Sequence, residues 1–247
     1  MDAIDRVVDA LTQWCLLHKI PDDHGLHHYL QVRDHALSAI SHLSPERQLA
    51  VILACLLHDV DDRKLKLLLA PSTTSTKFPI ATSFLQEAKV PVEIQTLVLE
   101  MIDLVAASKN GNKVPDDPAK LWMLIPRDCD RLESLGEVGV ARCYEYTVRI
   151  ARPLVLPETP LPRTEAELKA ILEVRTLDRY IASGGVSASM LDHYLDKILH
   201  LRLGSNTPSL DREYVRRMAV MKETFFSFTR VFAVCKLEAP IYGQAPI

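Results

Sequence analysis

The chain has 247 residues, 48% of them hydrophobic, and a formal net charge of -3. That is enough apolar material for a sizeable core. The near-even charge, without any polybasic run, excludes a strongly basic nucleic-acid surface and leaves room only for a local basic cleft around a phosphate. The cysteines, Cys15, Cys55, Cys129, Cys143 and Cys235, are odd in number and show no Cys-x-x-Cys spacing. Neither a disulfide framework nor a zinc ribbon is therefore expected, and a reducing compartment is. The start, Met1 to Arg6, is acidic and periodic, unlike a secretory signal or an Arg-rich transit peptide. The longest apolar run is far short of a membrane span, so the expectation is a cytoplasmic protein.

From Asp2 to His18, the residues Ile4, Val7, Val8, Leu11, Trp14 and Cys15 recur at the spacing of one helical face, which predicts a packing helix. Pro21-Asp22-Asp23 breaks the pattern just before the histidine-rich His24-Gly25-Leu26-His27-His28. The next helix is expected to run to about Leu43. His24 and His28 stack on one face if both are helical, and such a pair is as consistent with a surface feature as with metal ligands. His27, His35 and His42 read as surface or packing residues.

Ser44-Pro45 is a cap followed by a proline, the usual opening of a helix. The helix it opens carries the unbroken apolar run from Leu49 to Leu57, which leads straight into His58 and Asp59. An ionised carboxylate in an apolar setting needs a charged or hydrogen-bonded partner, or it neutralises. A divalent metal would keep Asp59 charged and His58 neutral; a helix ending in a polar pair at the surface is the plain alternative. After Asp62 come Arg63, Lys64 and Lys66, then the polar segment Pro71 to Lys77, which reads as a loop.

Helices are expected over about 80–88 and 91–105, followed by a polar turn over 108–113 with Lys109 and Lys113. Asp117-Pro118 opens another helix, which Pro126 should kink or end. The segment from Arg127 to Arg142 has helical apolar spacing but contains Gly136 and Gly139. Glycine there costs stability and permits the close approach of another backbone. A proline-rich, non-helical connection follows, and Thr164 to Glu167 is a capping box for a helix to about Ala182. Gly184-Gly185 breaks the chain. Ser187 opens a helix with His193, Tyr194 and Lys197, stopped by Gly204. The long helix from Leu210 to about Leu237 reads as core, and the ending from Ala239 as irregular. No repeat and no strand-like alternation occurs. The expectation is a single all-α domain over 1–238.

His28, His58-Asp59 and Asp130 thus stand in the order His, His-Asp, Asp, each on a predicted helix. This pattern resembles the HD-domain metal phosphohydrolase superfamily, and within it the bacterial YpgQ-like nucleoside triphosphate pyrophosphohydrolases. That branch carries a histidine four residues before its first ligand, as His24 precedes His28, and a valine four after, here Val32. Its second motif is similar to Leu56 to Lys64, its third to Asp128 to Arg142, with Cys129 and Glu133 as changes. A later Ser and His-Phe-Tyr-x-Lys-Leu segment resembles Ser189 through Ile198. The similarity runs from about Pro21 to Phe232. The family's Ser-Phe-Lys-Gly turn is Ser108-Lys109-Asn110-Gly111 here, and segments 153–163 and 204–209 look remodelled.

The resemblance implies a single HD-domain helical bundle in which His28, His58, Asp59 and Asp130 bind a divalent metal. Two imidazoles and two carboxylates suit an octahedral Mn2+, with Mg2+, Co2+, Ni2+ or Fe2+ as other occupants. It also implies catalytic parts for Asp62 and His24, and phosphate contacts from Lys64, Lys109, Arg131, His193 and Lys197. Each of these alone is an ordinary surface or ion-pair residue. The implied activity is hydrolysis of a nucleoside triphosphate to monophosphate and pyrophosphate by a metal-activated water. The implied partner is a small nucleotide or phosphate ester, without nucleic acid or membrane, and a homodimer is compatible with it. A nucleoside monophosphate phosphatase is the nearest variant, and a catalytically silent nucleotide-binding or scaffold protein is the reading from another class. Diiron oxygenases of this fold need further histidines before the last aspartate, and none occurs from Asp59 through Asp192.

Overall fold

The first helix, α1 (Ala3–Leu17), begins where Asp2 and Asp5 bond reciprocally: Asp5 N donates to Asp2 Oδ1 at 2.9 Å and Asp2 N to Asp5 Oδ2 at 3.3 Å. This box satisfies amide donors that the first helical turn leaves open. Val7, Leu11 and Cys15 form its buried face, as their spacing predicts. The computed structural model describes residues 2–21, 25–62 and 77–238, the side chains of 235–238 aside. Among the described residues all regular structure is helical, in the all-α class expected. No described helix is long and apolar enough to cross a membrane. The chain divides into two compact units, Met1–Ser134 with Arg202–Val215, and Leu135–Leu201 with Arg216–Ile247.

In the first unit, α2 (Leu26–Leu37) stops at Ser38, short of the predicted end at Leu43. Ser38 Oγ donates back to His35 O at 2.7 Å. This local bond competes with continuation of the helix. α3 (Pro45–Leu57) opens as predicted, with Ser44 Oγ accepting from Arg47 N and proline in the first turn. Every residue from Ala50 to Leu57 is buried. A helix buried all round must be surrounded, and α3 packs against α1, α2, α5 (Val92–Val105) and α7 (Ile125–Glu133). Each fully buried leucine in it stabilises the fold by about 1.5–3 kcal/mol.

The remaining elements of this unit are α4 (Pro79–Glu87), the single turn α6 (Ala107–Asn110), a 3-10 helix (Pro118–Leu124) and the first turns of α12 (Pro208–Glu238). Phe78 offers α4 no side-chain cap; instead Asp61 accepts from Ile80 N at 3.2 Å and Ala81 N at 2.9 Å. Asp117 caps the 3-10 helix through Ala119 N. The helix opened by Asp117-Pro118 ends at Leu124, just before Pro126, as expected. The proline sits in the first turn of α7, where its missing N–H costs nothing.

The second unit holds α8 (Gly136–Arg149), α9 (Glu165–Val174), α10 (Leu177–Ala182), α11 (Met190–Asp196) and the rest of α12. The predicted helix over 127–142 is two helices, α7 and α8. Gly136, at φ +69, opens the second, and a Cβ there would stand 3.2 Å from Arg217 Cγ. The helix predicted to reach Ala182 likewise divides at Arg175, after which Thr176 caps α10 through Arg179 N. α11 packs on α8, α9 and α10, and its Tyr194 stacks on Phe225 with ring centroids 6.0 Å apart.

Candidate metal centre

Three helices of the first unit bring the site together. α2 carries His28 in its first turn, α3 ends in a turn that begins with His58, and α7 carries Asp130. His28 Nε2 and His58 Nε2 are 3.2 Å apart, and Asp130 Oδ1 lies 3.4 Å from the first and 3.6 Å from the second. The three ligand atoms lie within 4.8 Å of one another. His58 Nδ1 donates to Cys55 O at 2.8 Å. That bond fixes the tautomer of a neutral ring and turns the Nε2 lone pair toward His28 and Asp130.

Donors held about 2.1 Å from one divalent ion stand about 3.0 Å apart at neighbouring octahedral positions and about 3.4 Å apart in a tetrahedron. Two of the observed separations, 3.2 and 3.4 Å, fall in that range, and the third, 3.6 Å, is just beyond it. The electrostatics agree. Burial opposes a charge on His58, but the Asp59 and Asp130 carboxylates outweigh it and push the imidazole up to about 10. Burial would raise Asp130, yet the two imidazoles beside it hold it well below the usual carboxylate range. The pocket therefore favours a positive charge at its centre, and the donor set fits a divalent metal.

Asp59 Oδ2 is 3.5 Å from His58 Nε2 on the side chain's partly exposed edge, outside the tight group of three. α3 does not continue through Asp62, as a shared helical face would require. Residues 58–61 form a turn, closed by Asp62 N donating to Asp59 O at 2.8 Å. The turn keeps both carboxylates on one short span by a different route. Its third acid, Asp61, is spent on capping α4, a part visible in sequence only as a helix start, Phe78-Pro79, that lacks its own cap.

The expected phosphate contacts fall in different settings. Lys109, on α6, pairs with Asp103, which also meets Lys77 Nζ at 2.5 Å. Arg131 is a correction: it is buried, and its fork donates to Gly111 O, Arg202 O and Asn112 Oδ1. A guanidinium so placed braces the loops around 111 and 202 and does not present its donors to a ligand. His193 and Lys197 belong to the second unit, where Ser187 Oγ lies 3.4 Å from His193 Nδ1 and Tyr180 packs edge-on against its ring. His24 and Lys64 lie outside the described residues.

Beside Arg131, the buried Arg127 and Asp128 form an arrangement that the sequence reading did not anticipate. Asp128 Oδ2 accepts from Gly204 N at 2.8 Å and Ser205 N at 2.7 Å, its Oδ1 meets Arg127 Nε at 3.3 Å, and Arg127 Nη1 donates to Lys113 O at 2.5 Å. Asp128 thus turns to the loop before α12 while Asp130 turns to the histidines, as their two-residue offset on a helix requires. A Cβ at Gly204 would overlap Arg127 Nη2. The glycine is there for that close approach, not as the helix stop expected of it.

No family model matches the chain. Among solved structures, a Lactobacillus plantarum protein is similar at a TM-score of 0.66 and 21% identity, covering 94% of this chain and 97% of that one. An HD-superfamily hydrolase of Bacillus thuringiensis follows the fold at 0.59 and 22%, covering 93% and 96%. A Listeria innocua protein does so at 0.57 and 16%, covering 95% and 99%. An uncharacterized protein of Acanthamoeba polyphaga mimivirus is 34% identical over 221 residues, 83% of this chain and 88% of that protein. The chain has the all-α fold of the HD superfamily and belongs to the same family as the mimivirus protein.

Proposed function

We propose that the protein is a metal-dependent phosphohydrolase acting on nucleotides, and that it hydrolyses a nucleoside triphosphate to monophosphate and pyrophosphate, as the YpgQ-like branch it resembles does. The observation that carries this reading is the convergence of His28 Nε2, His58 Nε2 and Asp130 Oδ1 at metal-ligand separations. The HD-superfamily title of the Bacillus thuringiensis neighbour supports the hydrolase class. Asp59 serves as the fourth ligand from the turn it shares with His58.

A divalent cation bound there, Mn2+ in this proposal, supplies a water of lowered pKa and offsets charge on the phosphoryl group. The residues do the rest. His58, oriented by Cys55 O, and His28 hold neutral nitrogens toward the ion, and Asp59 and Asp130 balance its charge. Asp62, on the same turn, orients the attacking water and takes its proton, and His24 assists from the segment before α2. Lys64 and Lys109 meet the phosphates.

Purified protein loaded with manganese, screened against nucleoside tri-, di- and monophosphates, tests the proposal. Release of pyrophosphate from a triphosphate supports it. Free phosphate from monophosphates alone would replace it with the nucleotidase reading, and no turnover of any nucleotide would reject the class.

A further inference from the structure

Asp103, in the last turn of α5, is shared by two lysines. Lys109 Nζ and Lys77 Nζ both pair with its Oδ1, the second at 2.5 Å. Sharing one oxygen places the two ammonium groups within about 6 Å of each other, twice an ordinary hydrogen-bond length. Like charges that close repel, and one carboxylate offsets only one of them. Burial would raise Asp103, yet the two ammonium groups hold it below the usual carboxylate range, so the trio carries a net single positive charge. It is also open to solvent: the side chains of Lys77 and Lys109 are 58% and 51% exposed. Each ammonium has three donors, and the shared oxygen takes one from each.

Two separate ties hold the trio beside the metal centre. Lys77 precedes the start of α4, which is fastened to the His58 turn because Asp61 accepts from Ile80 N at 3.2 Å and Ala81 N at 2.9 Å. From Lys77 to Ile80 the chain spans at most about 11 Å. Lys109 is tied from the other side. Asn110 Nδ2 donates to Asp103 O at 2.7 Å, and Gly111 O and Asn112 Oδ1 accept from the fork of Arg131, the residue after Asp130 on α7. Segments distant in sequence thus deliver two cations to one place, each through a bond to an element that carries a metal-site residue.

We propose that Lys77 joins Lys109 in a cationic clamp for the terminal phosphates of a nucleoside polyphosphate, with Asp103 as the residue that positions the two ammonium groups. The inference rests on the phosphohydrolase reading above and adds Lys77 to it. A phosphate chain brings several negative charges where Asp103 brings one. Its oxygens take the lysine donors that the shared carboxylate leaves open, and bonds between two charged groups are the stronger kind.

The test is calorimetric titration of full-length protein, stripped of metal with chelator, with inorganic tripolyphosphate. Lys77→Met keeps the aliphatic stem beside the Phe78 ring and removes the charge. It should keep the unfolding temperature of the parent and weaken binding by about tenfold, the usual effect of losing one hydrogen bond to a charged group. Lys77→Arg should bind like the parent. Lys120→Met, which removes an exposed lysine of the 3-10 helix, should also bind like the parent. Binding weakened by Lys109→Met but not by Lys77→Met would overturn the clamp and leave the phosphohydrolase reading standing. Lys77-dependent binding in a protein that turns over no nucleotide would keep the clamp and reject that reading. Absence of tripolyphosphate binding, or an equal loss in Lys77→Met and Lys120→Met, would overturn the proposal.

Discussion

Two carboxylates, the partly buried Asp130 of the first unit and the buried Asp192 of the second, show how the same chemical group is put to different ends. In the second unit Asp192 is closed off by protein. Arg175 Nη1 meets its Oδ1 at 2.8 Å, and Thr159 and Ser189 donate their hydroxyls to Oδ2 at 2.9 and 2.6 Å. Nothing more is needed to hold its charge, and the residue ties α11 to α9 and to the proline-rich connection. In the first unit Asp130 faces two imidazole nitrogens that also face each other. Two neutral imidazoles turned lone pair to lone pair beside a carboxylate make a stable arrangement only around a shared cation, a proton or a metal. The contrast separates a carboxylate that supports structure from one prepared for an outside charge.

The contrast breaks most sharply at the histidines. His28→Ala or His58→Ala should abolish manganese-dependent turnover while the circular dichroism of the helices is kept; parent-like kcat in either variant would remove that residue from the ligand set. Asp62→Asn is the next largest effect. Loss of a general base should lower kcat by roughly 10²–10⁴-fold with metal content unchanged. Parent-like kcat at full occupancy would reduce Asp62 to a solvated residue of the turn, and loss of metal would make it a ligand.

On the structural side, Asp192→Ala leaves the Thr159 and Ser189 hydroxyls without their acceptor, while Arg175, itself partly exposed, keeps Asp196. It should cost about 1–3 kcal/mol of stability, read from the denaturant midpoint, while manganese stoichiometry stays at the parent value. Lost metal with unchanged stability would reverse the roles assigned to the two carboxylates. The smallest effect is expected at Lys109, whose pairing with Asp103 is solvent-exposed. Lys109→Ala should change stability by less than about 1 kcal/mol. If Lys109 meets phosphate it should raise KM at constant kcat, and an unchanged KM would leave it a surface ion pair.

What the sequence made legible follows from the range of the physics involved. The capping of α1 and α3, the buried run into His58 and the helical placement of His28 and Asp130 depend on neighbours a few residues away, and spacing alone displays them. The misjudged parts depend on distant partners. Arg131 looks like a phosphate ligand until the carbonyls of Gly111 and Arg202 are seen to receive its fork. Asp61 drew no reading from the sequence, because the amides it caps, at Ile80 and Ala81, lie about twenty residues on. Gly136 was legible as a close approach, here to Arg217, but not as the break at which α8 begins. The His28, His58 and Asp130 set, whose members stand 30 and 72 residues apart, was legible through the family resemblance that their motifs carry and not through spacing.

The central claim is that His28, His58 and Asp130 form the core of a site for one divalent metal. Elemental analysis of the parent and of Asp130→Ala, both loaded with manganese and freed of excess ion, tests it most directly. The account predicts one ion per chain in the parent and none retained in the variant. Two irons per chain in protein purified without added metal, an ion-free parent, or undiminished manganese in Asp130→Ala would contradict it.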